Sequence, residues 1–172
     1  MADSVQVGQI QAVFKSVRLP FGLLVDEMHV EGADLLVTTE PVGVKLPSAG
    51  NVIARVGEAS LNEFLRLKVP KEVRDPVASI ADGQIIVEAT VRMIVELRAV
   101  ARCSLQIKGG KQLHVVLDTV EVAGLGAKSL VQGQLDQINP VLDAAEMPLP
   151  MTLEQANILE GMIEIRGTIG PV

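Results

Sequence analysis

The sequence predicts an α+β fold in which a long, highly curved antiparallel β-sheet wraps around one or two amphipathic helices. Three observations carry this reading. From Ile85 to Ile107 every odd position is apolar: Ile85, Val87, Ala89, Val91, Met93, Val95, Leu97, Ala99, Ala101, Cys103, Leu105 and Ile107. That alternation puts all of them on one face of extended chain and a polar set, broken only by Ile86, Ile94 and Val100, on the other. Glycine-centred turns recur between alternating flanks at Glu31-Gly32, Asp82-Gly83, Gly109-Gly110 and Glu160-Gly161, so hairpins and a sheet of six to eight strands are expected. Two segments, one opening near Glu58 to Ser60 and limited by Pro70, the other over about 127–142, switch to helical spacing.

Along the chain, the first twenty residues read as a strand ending at Pro20-Phe21-Gly22, although Ile10, Val13, Phe14 and Val17 also fit a helix. Residues 41–51, rich in Pro and Gly, read as a loop leading into a strand over Val52 to Val56. A helix then opens near Glu58 to Ser60. Ser60 and Glu63 fit a capping box, Leu61, Phe64 and Leu65 form its apolar side, and Pro70 limits it.

The apolar run that follows would span roughly 75 to 80 Å as one straight strand, against about 40 Å for a compact chain of this size. It must bend. A two-residue hairpin inside it would swap the apolar set to even positions, and no Gly, Pro, Asn or Asp lies between Gly83 and Gly109 to make a turn. The run therefore reads as one or two long, curved strands with a concave apolar face. The second helix runs from about Ala127 to Leu142, with Val131, Leu135, Ile138 and Leu142 on one side; Pro140 either follows its end at Asn139 or begins a second turn. Both helices would hide in the concavity, where Ala89, Ala99 and Ala101 leave room.

A length of 172 residues fits one domain over 1–172. Aliphatic side chains dominate an apolar content of 48%, and aromatics make up only 2%. With a net charge of −6, the chain lacks both the stacking groups and the cationic surface of a nucleic-acid binder. A small basic cluster, Arg66, Lys68, Lys71 and Arg74, reads as a solvated helix end, with lipid headgroup contact as the alternative. Cys103 belongs to the apolar face and reads as a buried, inert thiol. No basic segment with an apolar core opens the chain, and no stretch nears eighteen uninterrupted apolar residues. The expectation is a cytoplasmic protein, or one of the cell envelope if a leader lies upstream.

Chemistry-bearing motifs are weak. His29 and His114 have no partner at metal-ligand spacing. Asp26-Glu27 and Asp118 with Glu121 read as solvated charges. Gly124-Leu125-Gly126-Ala127-Lys128-Ser129 follows a strand and opens a helix, yet departs from both glycine-rich nucleotide fingerprints and reads as a strand-to-helix turn. No catalytic residue, metal site or cofactor is expected.

Four stretches are similar to the LmeA-like phospholipid-binding family: Val56 to Leu65 (VGEASLNEFL), Asp82 to Ala89 (DGQIIVEA), Val120 to Gly124 leading to Ile138-Asn139-Pro140-Val141-Leu142, and Gly161 to Gly167. In order and spacing they cover about residues 50 to 170. The resemblance implies a fold like that of tubular lipid-binding domains and a role in holding phospholipid or another acyl-chain ligand. It also implies a cell-envelope setting behind a signal peptide or lipoprotein anchor, and it carries over no catalytic residues.

Together these readings predict non-catalytic binding, or transfer, of a phospholipid or fatty acyl ligand in an apolar groove. Its expected lining is Val87, Val91, Met93, Val95 and Leu97 from the strand face, with Leu61, Phe64, Leu65, Leu135 and Ile138 from the helices. Burying sixteen methylenes would contribute on the order of 12 kcal/mol before ordering costs. Transient membrane contact and homo-oligomerisation are compatible with this reading. The competing one is a structural protein whose helices fill the sheet completely and which assembles through sheet edges or end faces.

Overall fold

The computed structural model describes residues 4–39, 42–45, 47–92, 94–122, 127–147 and 150–171. Among these, eleven antiparallel strands form two sheets rather than the single sheet of six to eight that the sequence suggests. The first sheet contains β1 (Ser4–Arg18), β2 (Leu24–Thr39), β3 (Val42–Lys45), β4 (Gly50–Gly57), β10 (Met151–Leu159) and β11 (Met162–Ile169). Its order is β1-β2-β4-β11-β10, and β3 pairs with the far end of β2. The second sheet runs β5 (Val73–Ala81), β6 (Gln84–Arg92), β7 (Glu96–Lys108), β8 (Gln112–Val122) and β9 (Leu142–Asp143) in sequence order. One sheet is strongly curled, giving an α+β curved-sheet fold.

The apolar run from Ile85 to Ile107 is two strands, β6 and β7, joined by residues 93–95. Its register explains why no phase swap is visible. Ile85 pairs with Cys103, Val87 with Ala101, Ala89 with Ala99 and Val91 with Leu97. A connection with an odd number of residues pairs odd positions with odd positions, so both strands keep their apolar sets on one face. Bulges flank this hairpin on either side, between Arg74 and Val77 where β5 meets β6 and between Arg102 and Cys103 where β7 meets β8. Each adds local twist and a bend to the sheet.

Three of the four glycine turns are hairpins. Asp82-Gly83 links β5 to β6 with both residues at positive φ, Gly109-Gly110 lies between β7 and β8, and Glu160-Gly161 joins β10 to β11. Gly32 is not a turn. It sits inside β2 opposite Ile10, because the β1–β2 hairpin closes earlier, at residues 19–23, where Gly22 takes φ 99°. The expected loop over 41–51 contains β3, whose Val44 and Gly43 pair with Val37 and Thr38. Pro41 and Leu46 lie outside the described residues.

Helix α1 spans Glu58–Lys68, as its spacing predicts, but Ser60 is not its cap. The cap position is Gly57, and the capping group comes from β2: the Asp26 carboxylate accepts the Gly57 N–H and the Ser60 hydroxyl, both at 2.6 Å. Glu63 turns outward to Arg18. Helix α2 spans Ala127–Ile138, and Leu142 belongs to β9 instead. Asn139 ends the helix by bonding both the Val115 N–H and the Val115 carbonyl, ahead of a cis bond to Pro140.

One hydrophobic cluster draws on both sheets, with Val25 and Val56 from the first and Ile80 from the second almost wholly buried. The sheets also meet through backbone: the Leu153 N–H donates to the Gly110 carbonyl at 2.7 Å, and the Gly161 N–H donates to that of Ile80 at 2.9 Å.

Candidate functional site

The concave side of β6 and β7 is not fully covered. An apolar cavity of about 110 Å³ lies between these strands and both helices, lined by Val87, Ala89, Val91, Ala99, Ala101 and Cys103 from the hairpin and by Leu65, Leu130, Val131, Leu135 and Ile138 from α1 and α2. Val69, Pro70 and Val73, which join α1 to β5, and Lys68 and Gln134 border it. A second cavity of about 80 Å³ continues inward between the two sheets, toward Leu105, Leu113, Val115, Ile163 and Ile165. Leu65, Val87, Cys103, Leu135 and Ile138 line both, so the two lie side by side along one apolar groove. Ile85 and Val91, at its two limits on β6, are six residues apart, or about 20 Å of strand. An acyl tail occupies half of a hydrocarbon core about 30 Å thick, so the groove is long enough for one.

Period two builds this lining. On β6 and β7 the odd residues face inward, and three of them are alanines: Ala89, Ala99 and Ala101. Ala89 faces Ala99 across the ladder, so neither strand offers a large side chain where α2 passes over. The helices supply their 3.6-period stripes, Leu61, Phe64 and Leu65 from one and Val131, Leu135 and Ile138 from the other. Polar crevices flank the groove. One of about 260 Å³ shares Phe64, Lys68 and Ile138 with it and brings in Asn139, Asp143 and Glu146.

Of the residues expected in the lining, Leu61, Phe64, Leu65, Val87, Val91, Leu135 and Ile138 line one or both cavities. Val95 does not: it belongs to the connection that turns β6 into β7 and is exposed. Leu97 pairs with Val91 beyond the end of the lining, half-buried. Met93 lies outside the described residues. The lining also includes residues that a search for bulky strand positions passes over, namely Val69, Pro70, Val73 and Leu130. Val69, Pro70 and Val73 join because the segment after α1 folds back beside β6, and Leu130 because α2 packs over the same cavity.

Cys103 is buried on the groove wall, and burial pushes its thiol up to about 11, which suppresses the thiolate and with it nucleophilicity. His29 bonds Glu27 and His114 reaches Gln112 at 3.3 Å; neither lines the groove. Among the described residues no group of three or more His, Cys, Asp or Glu side chains is placed to hold a metal ion, and no helix is long and apolar enough to cross a membrane. Of the glycine-rich stretch at 124–129, residues 124–126 lie outside the described residues.

A curled antiparallel sheet with two helices packed over apolar, partly unfilled space defines an α+β curved-sheet protein with small internal apolar cavities. The chain belongs to the LmeA-like phospholipid-binding family, whose sequence model matches residues 2–168, nearly its whole length. No curated protein and no solved structure matches it.

Proposed function

We propose that the protein binds phospholipid without catalysis, seating an acyl chain in the groove between β6, β7 and the two helices. The observation that carries this reading is apolar space left open in the middle of the core. A void of this kind costs roughly 24 cal/mol per Å³, so each cavity forgoes on the order of 2 kcal/mol, which in the first a larger side chain at Ala99 or Ala101 would recover. The gross gain from burying an acyl tail, about 0.8 kcal/mol per methylene, exceeds that cost several-fold.

The first cavity, at about 110 Å³, is close to the roughly 150 Å³ that admits a benzene, so a whole tail requires the groove to widen. Helix α2 is the wall suited to yield. Among its described residues only Leu135 is buried, and Gly133 in its interior weakens it by about 1 kcal/mol relative to alanine.

Organic extraction of the purified protein followed by mass spectrometry tests the reading, alongside an Ala101→Leu variant that fills the groove. The expected result is phospholipid approaching one per chain in the wild type and a marked loss in the variant. A wild type that carries none and takes none up from mixed micelles, or a variant that binds undiminished, contradicts it.

One feature favours the competing assembly reading. β1 is an edge strand of the first sheet, and Val5, Val13 and Phe14 on it are exposed. Concentration-dependent dimerisation abolished by Phe14→Lys, with no bound lipid, would support it instead.

A further inference from the structure

We propose that the end of the molecule carrying the β6–β7 connection docks on the surface of an anionic phospholipid bilayer, so that the groove opens against the membrane. The inference rests on the proposed groove for its purpose, but its evidence is separate. Ile94 in the connection is fully exposed, at 101%, and neighbouring Val95 is 60% exposed. A β-branched aliphatic pair projecting from a hairpin tip gains nothing from water, and transfer of such a side chain into an apolar phase is favourable.

The charge around the tip is of the opposite sign to the molecule as a whole. The chain carries −6, yet between Arg66 and Asp75 four cations, Arg66, Lys68, Lys71 and Arg74, outnumber two carboxylates, Glu72 and Asp75. The tip is tied to this segment directly: the Arg92 N–H donates to the Glu72 carbonyl at 2.8 Å, and Arg74 pairs with Glu96 at 3.3 Å. Arg66 and Lys71 form no ion pair among the described residues and, with Asp75 as the lone carboxylate, line one crevice of about 470 Å³. That crevice shares Val69, Pro70 and Val73 with the groove. Exposed Leu67 lies between Arg66 and Lys68 on the last turn of α1. An aliphatic tip beside free cations at the mouth of an apolar groove matches the layering of a bilayer surface, with phosphate outside and hydrocarbon beneath.

Vesicle flotation with neutral phosphatidylcholine alone, and with about one third phosphatidylglycerol added, tests the proposal. Binding is expected only to the anionic vesicles, declining with salt. Ile94→Asp should weaken it roughly ten-fold, and Lys71→Glu about five-fold or more. Since the chain has no Trp or Tyr, Ile94→Trp supplies a lone indole whose emission should shift to the blue on binding.

Equal binding to neutral vesicles, undiminished binding by Ile94→Asp, or no binding at all overturns the proposal. So does self-association that Ile94→Asp abolishes while vesicles are ignored, which would assign the tip to a second copy of the chain. Extracted phospholipid without vesicle binding refutes docking and leaves the groove standing; tip-dependent vesicle binding by a protein that carries no internal lipid and takes none up from mixed micelles upholds docking and refutes the groove.

Discussion

The carboxylate of Asp26, on β2, accepts the Ser60 hydroxyl at 2.6 Å in the first turn of α1 and so fixes a groove-lining helix to the first sheet. Its other oxygen takes the Gly57 N–H, also at 2.6 Å, one of the donors that a helix start leaves without an intrahelical partner. The negative charge also suits the positive end of the helix. Asp26→Ala should therefore destabilise the fold by about 1 to 2 kcal/mol, with Asp26→Asn less damaging. Urea unfolding checks this through a lowered midpoint at unchanged slope.

On β4 and β11, Arg55 and Glu164 are register partners, and Arg166 reaches the same carboxylate at 2.8 Å. The Arg166 hydrogen bond, joined by that of Arg55, holds the Glu164 carboxyl below its ordinary 4.5 despite its burial. A carboxylate depressed in the folded state contributes stability above its unfolded value and loses it as pH falls through the folded one. Glu164→Gln should lower stability at neutral pH and flatten the decline between about pH 5 and pH 3. Denaturation midpoints across that range measure both effects.

Gly167 is required by space. A Cβ there would meet the Thr152 carbonyl oxygen at 2.4 Å, beside the bulge between Leu153 and Gln155 where β10 crosses its partner. Backbone cannot give way as a side-chain tip can, so Gly167→Ala should cost about 1 to 3 kcal/mol. A thermal melt of the variant beside Gly8→Ala, where the added carbon meets nothing within 4 Å, isolates the steric effect.

Cys103 is the chain's single thiol, so its reactivity reports the groove alone. With its thiol pushed to about 11, modification by an aromatic disulfide at pH 8 should be slow in the native state and complete on unfolding. Bound phospholipid should slow it further. Rapid native labelling, indifferent to lipid, would show a groove wall open to water.

How much of this was legible follows from which signals are local. The phase of Ile85 to Ile107 put the odd residues of both strands on one face, as the β6–β7 register has them, because side-chain alternation survives any odd-length connection. The same fact conceals the turn, so alternation alone reads Val95 as part of the apolar face, whereas it is exposed in the connection. The helical stripes Leu61-Phe64-Leu65 and Val131-Leu135-Ile138 were readable from spacing alone. Asp26 as the cap of α1 was not, since it lies 31 residues before Gly57 and only the pairing of β2 with β4 brings it near. Nor was the division into two sheets, because every hairpin reads alike in sequence and β4 finds its partner β11 from the other end of the chain.

The central claim is that an acyl tail occupies the space between β6, β7 and α2. It is tested most directly by photocrosslinking with a phospholipid carrying a diazirine in its tail, followed by peptide mapping. The account predicts adducts concentrated at Val87, Ala99, Ala101 and the 130–138 face of α2, and their loss in Ala101→Leu. Adducts spread over the outer face of the first sheet, or unchanged in that variant, would contradict it.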